Sequence, residues 1–144
     1  MNKNTAGLAP IVEALRTVAL TGHVRDVPKA DRKELVDTGL IQRGSYGKSP
    51  DWMLTAFGVN VLDRDFVTTS VYKAWSAAVH LHGSMGDTLT GVCAYARDRA
   101  YFTPVADRAV VAAVEAHATL RDLASEAEAR MVEALRERLL KENT

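Results

Sequence analysis

The chain has 144 residues, 47% of them hydrophobic and 25% charged, a composition that suits one compact domain or a small domain with a helical extension and excludes a disordered or collagen-like chain. Eighteen basic and eighteen acidic side chains cancel, so net charge offers no argument for nucleic-acid binding. The lone Cys93 excludes an internal disulfide and a thiolate zinc cluster.

Lys73, His80 and His82 interrupt the least charged stretch, residues 66–85, well short of the roughly 20 apolar residues of a membrane span. The first residues carry no apolar core or cleavage site of a secretory signal, so a cytoplasmic protein is expected. Charge is uneven. Residues 25–48 hold six basic and four acidic side chains, whereas residues 104–144 hold six basic and eight acidic ones.

From Leu8 to Leu20, apolar residues at three- and four-residue steps predict a helix, with Pro10 in its first turn and Gly22 as its stop. Val27-Pro28 forces an extended residue, after which Lys29 to Thr38 forms a short helix closed by Gly39. Residues 42–51 collect glycine, serine, proline and aspartate between Leu40-Ile41 and Trp52-Met53-Leu54, the pattern of a β-hairpin with a polar tip. Thr55 is placed to cap a helix carrying Phe57, Val59, Val61 and Leu62, with Gly58 as its weak point.

Past Asp65 the composition shifts toward alanine, valine and histidine. Val71 to Leu81 has helical spacing, Gly83-Ser84-Met85-Gly86 is expected to end that helix, and Asp87 or Thr88 to begin another reaching about Arg99. Tyr101 and Phe102 are expected to pack, and Thr103-Pro104 opens a last helix running to about Lys141 without internal proline or glycine. At ~57 Å that helix outruns a domain of this size, so its distal half needs a partner, most simply a second copy of the chain. Val114, Leu120, Met131, Leu135 and Leu139 are the expected homodimer seam, in the manner of a coiled coil.

The phrase Leu35, Gly39, Leu40, Ile41 and Arg43, a glycine-rich tip, and then Leu54, Thr55, Gly58 and Leu62 resembles the winged helix-turn-helix domain of bacterial and phage transcriptional regulators, the MarR and PadR families among them. The resemblance covers residues 8–65 and departs from the family between Gly22 and Val27, where a second helix has little room. It implies a mainly α fold with a small β-hairpin wing and an α+β winged-helix domain at 8–65, to which the long last helix adds the expectation of a helical dimerisation region at 66–144. It also implies duplex DNA as partner, with Lys29 to Thr38 as recognition helix and the hairpin as wing. The DNA-binding residues would be Arg25, Lys29, Arg32, Lys33, Arg43, Ser45, Tyr46 and Lys48. Arg32 is the expected bidentate base reader, and Ser49 a further phosphate donor. Asp31, Glu34 and Asp37 are expected to lie largely opposite Lys29 and Lys33.

The alternative reading is a winged-helix module that contacts another protein, such as a phage-encoded modulator of a host protein, without binding DNA. A third adds a small-molecule effector near Tyr72, Trp75, Tyr95, Tyr101 and Phe102. No metal or other cofactor is expected, because His80 and His82 point apart on a helix and His117 is remote in sequence. Cys93, between Val92 and Ala94, reads as a small buried hydrophobe, and no arrangement typical of an enzyme nucleophile or carboxylate pair occurs.

Overall fold

The computed structural model describes residues 3–98 and 104–142, so Tyr101 and Phe102 lie outside it. The chain is mainly helical, with one small antiparallel sheet and a long C-terminal helix. Helix α1 spans Lys3–Thr21 and α2 Lys29–Asp37; strands β1 (Ile41–Arg43) and β2 (Trp52–Leu54) follow, then α3 (Ala56–Leu62). A 3-10 turn at Phe66–Thr68 leads into α4 (Ser70–Asp98), and α5 (Pro104–Glu142) runs back along it. Among the described residues, no helix is long and apolar enough to cross a membrane.

Local chemistry explains most boundaries. Helix α1 begins at Lys3, ahead of expectation, which leaves Pro10 inside it; proline forfeits one backbone donor there but need not end a helix near its free end. Gly22 and Gly39 take positive φ, 76° and 72°, and turn the chain out of α1 and α2. Ile41 pairs with Leu54 and Arg43 with Trp52, which puts Ile41 and Leu54 in the core. The Thr55 hydroxyl caps α3 by accepting from the Gly58 N–H at 3.0 Å. Gly58 is required rather than merely tolerated, since a Cβ there would collide with the Leu40 carbonyl oxygen.

Two expectations fail, for related reasons. Residues 83–86 do not end a helix, and α4 runs unbroken through them. Two glycines weaken a helix by about 1 kcal/mol each, which packing along its whole length against α5 outweighs. At Gly86 a Cβ would meet His117 Nε2 at 3.7 Å, an ordinary contact, so no close approach requires a glycine there.

The second failure concerns the dimer seam. Met131, Leu135 and Leu139 are 1%, 3% and 1% exposed, packed in one core with Leu15, Val18, Leu35, Ile41 and Val59 of the same chain. Burying each contributes about 1.5–3 kcal/mol, and none is available to a second copy. Of the other expected seam residues, Leu120 is half-buried and Val114 is exposed. The far end of α5 therefore belongs to the core formed by residues 8–65. Arg136 Nε donates to the Ala19 carbonyl and Arg16 Nη2 to the Leu139 carbonyl, each at 2.9 Å, tying α1 to α5. Arg138 pairs with the nearly buried Asp63, whose other oxygen accepts from the Phe66 N–H at 3.1 Å.

Candidate nucleic-acid interface

Helix α2 buries Leu35 and turns its other side outward. Lys29, Lys33 and Asp37 follow one another at four-residue steps and all three are exposed, so one carboxylate sits in the cationic row. This corrects the expectation that the acidic residues lie opposite the lysines: Asp31 is half-buried, but Asp37 shares the outward face. Arg25 is exposed on the loop ahead of α2.

Arg32 has a different task from base reading. Its Nη2 donates to the Val24 carbonyl at 2.8 Å and the Val27 carbonyl at 3.4 Å, so the guanidinium holds the 22–28 loop closed from inside. With Nη2 committed to two backbone carbonyls and Nε buried without a hydrogen-bond partner, the guanidinium does not present a two-nitrogen fork to a guanine edge. The loop it ties replaces the helix that the resemblance leads one to expect.

On the sheet, Arg43 is exposed with its guanidinium carbon 4.3 Å from the centroid of the Trp52 ring, a cation–π stack that props the charge outward. Ser45 and Lys48 are exposed at the tip. Tyr46 is not: its hydroxyl and His82 Nδ1 are 2.9 Å apart, and the two rings are 5.5 Å apart. Ser49, expected at a phosphate, instead donates to the Glu128 carboxylate and accepts from the Tyr46 N–H at 3.1 Å. The wing tip is thus folded onto α4 and α5 by two side chains that were expected to face DNA.

These contacts expose a polar cluster that sequence reasoning missed. Glu128, 1% exposed, also accepts from Trp75 Nε1 at 3.1 Å. The His82 and His117 rings lie 4.6 Å apart, centroid to centroid. Burial lowers the His82 pKa, and His117 and Arg121 lower it further. Burial raises that of Tyr46, with Glu128 adding to the shift and Arg121 opposing it. The one sequence signal was Glu128 itself, a carboxylate four residues after Ala124 and three before Met131, in line with the buried face of α5.

Tyr72 and Trp75, expected near an effector, pack on each other at the core. They stack edge-on, with rings 5.5 Å apart, Tyr72 continues to Phe66 at 6.2 Å, and Trp75 is 5% exposed. Cys93 is half-buried on α4. Of the expected DNA-binding residues, the exposed cations are therefore Arg25, Lys29, Lys33 and Arg43, with Lys48 at the tip. Compared with known protein families, with curated proteins and with solved structures, the chain matches none.

Proposed function

We propose that the protein binds duplex DNA through α2 and β1, as a small regulator of transcription. The observation that carries this reading is the outward row Lys29–Lys33 on a helix fixed by Leu35, with exposed Arg25 on the loop before it and the Trp52-propped Arg43 on the strand after it. Lysines at four-residue spacing reach successive phosphates, and a short exposed helix fits the major groove. Asp37, one turn beyond Lys33, then takes the place of Arg32 as base reader, its carboxylate accepting from cytosine N4. Arg32 positions the helix through the loop carbonyls.

The test is fluorescence anisotropy of labelled random-sequence duplex with the full chain at ~50 and ~200 mM salt. Four phosphate contacts give a salt slope near −3.6, hence roughly a hundredfold weaker binding at the higher salt. Lys29→Ala/Lys33→Ala reduces that slope by about 2. Absence of binding at low salt, or a double variant with the parent's affinity and slope, rejects the reading.

The second reading, a protein-contact module, has one observation of its own. Phe57 and Val61, one turn apart on α3, are 55% and 39% exposed, an apolar edge on the same body. Salt-insensitive recovery of one protein partner, abolished by Phe57→Glu, is the result that favours it.

A further inference from the structure

The α4–α5 hairpin has two broad faces of different chemistry. On α5 the side chains packed inward include Ala106, Ala113 and Ala124, and on α4 they include Trp75, Ala78 and the half-buried His82. The residue one position before each lies about 100° round its helix. Because the helices run antiparallel, the same offset on both falls on the same side of the pair. That side shows Ala74, Ala77, Leu81, Ser84 and Thr88 from α4, and Val105, Ala112, Ala116, Thr119 and Leu123 from α5. All are exposed and none is charged. At its inner end lies a groove of about 520 Å³ between Leu81 and Leu123, bordered by the Glu126–Arg130 ion pair. The opposite side carries Arg121 and receives the wing tip through Tyr46 and Lys48.

We infer that the uncharged face is where a second copy of the chain packs, two hairpins closing into a four-helix bundle. The first reason is thickness: beyond Trp75 on α4 and before Ala124 on α5, the buried hydrophobic residues described are Ala78, Ala96, Ala106 and Ala113, while the larger Met85, Leu89 and Leu120 in line with them are only half-buried, so this two-helix layer does not close a core of its own. A stable helical layer needs another layer to bury against. The second is area. A face ~30 Å long and two helices (~20 Å) wide covers ~600 Å² per chain, so the pair buries ~1,200 Å², the lower end of what specific complexes bury.

Charge selects the occupant. The outer edges carry Lys73, His80 and Asp87 on α4, and Arg108, Glu115 and Asp122 on α5, so neither edge is of one sign. A membrane-binding face is rimmed by lysine and arginine, and a strongly charged partner selects the opposite sign. In a two-fold pair each surface meets its own copy, which an uncharged centre with a mixed rim allows without like-charge blocks. The small residues let helix axes approach closely, while Leu81 and Leu123 fill the facing groove. This surface is distinct from the expected Val114, Met131 and Leu139 seam, and the inference does not depend on DNA binding.

Sedimentation equilibrium of the full chain at micromolar concentration tests it. The expected mass is twice 15.7 kDa. Leu81→Glu/Leu123→Glu sediments as a single chain with its helical circular dichroism retained, a dimer constant weakened at least a hundredfold. Ala116→Glu, an exposed position inside the face, produces the same loss even if the double variant folds poorly. Val114→Glu, on the other side, stays dimeric. A monomeric parent chain, a dimer that survives Ala116→Glu, or a monomer produced by Val114→Glu overturns the inference.

Discussion

Replacing Glu128 tests whether the wing is held by the buried carboxylate. Glu128 accepts from Trp75 Nε1 and from the Ser49 hydroxyl at a site 1% exposed. Glu128→Ala removes two charge-assisted hydrogen bonds, worth about 1.5–3 kcal/mol each at most, and strands an indole N–H and a hydroxyl. Relaxation and water entry into the vacated space recover part of this, so the expected loss is about 3–4 kcal/mol, a large share of a native stability of roughly 5–15 kcal/mol. Glu128→Gln keeps an acceptor for the indole and a polar group for Ser49, and is expected to lose only about 1–1.5 kcal/mol. Urea unfolding followed by tryptophan fluorescence measures both, with Trp75 reporting on the site itself. An alanine variant within 1 kcal/mol of the parent on the same scale, or a glutamine variant as damaged as alanine, refutes the assignment.

Other consequences follow from single contacts. Gly58→Ala places a methyl against the Leu40 carbonyl oxygen and is expected to destabilise the chain by more than about 2 kcal/mol, read by thermal unfolding. Unchanged stability there contradicts the close approach of α3 to Leu40. Leu135→Ala leaves a cavity in the shared core and is expected to lose about 2–5 kcal/mol, whereas Leu140→Ala, 56% exposed, changes little; equal effects mean that α5 does not pack back on α1. His82 is held below the usual 6.5 by burial first and then by His117 and Arg121, so its neutral form is favoured in the folded chain. Its contribution is present above pH 6.5 and is lost as pH falls toward the lowered folded value. Urea midpoints are therefore expected to drop between about pH 7.5 and 5.5, and less steeply in His82→Gln. Identical slopes in both proteins remove His82 as the cause.

Local signals made much of the body legible. Gly39, Thr55 and the apolar pairs either side of residues 42–51 mark a helix end, a cap and a hairpin through backbone preferences that act within a few residues. What the sequence hid is long-range. The two glycines at 83 and 86 look like a stop until α5 lies along them, and periodicity in α5 reveals a seam without saying whose side chains fill it. Met131 and Leu139 read as a dimer contact because the helix is long, yet the hairpin returns them to their own core. Similarly, Arg32 reads as a base reader from sequence, and only the positions of the Val24 and Val27 carbonyls reveal that its Nη2 is committed.

The internal bonds of Arg32, Tyr46 and Ser49 act on the proposed DNA surface in two opposite ways. Committing Arg32, Tyr46 and Ser49 to internal bonds removes three residues from the expected DNA surface, which leaves Arg25, Lys29, Lys33 and Arg43 to carry phosphate contact. Internal contacts also fix the elements that carry these cations. Arg32 closes the loop ahead of α2, Trp52 props Arg43, and the Tyr46 and Ser49 contacts join the wing to α4 and α5. A cation on a rigid element loses less entropy on meeting a phosphate than one on a free loop. The proposed surface is therefore smaller than the sequence suggested but better ordered, and Arg32→Ala separates the two contributions. If Arg32 positions α2, its loss weakens DNA binding through a loosened 22–28 loop, seen as faster amide exchange there, with the salt slope unchanged. A lowered salt slope without faster exchange would instead make Arg32 a direct phosphate contact.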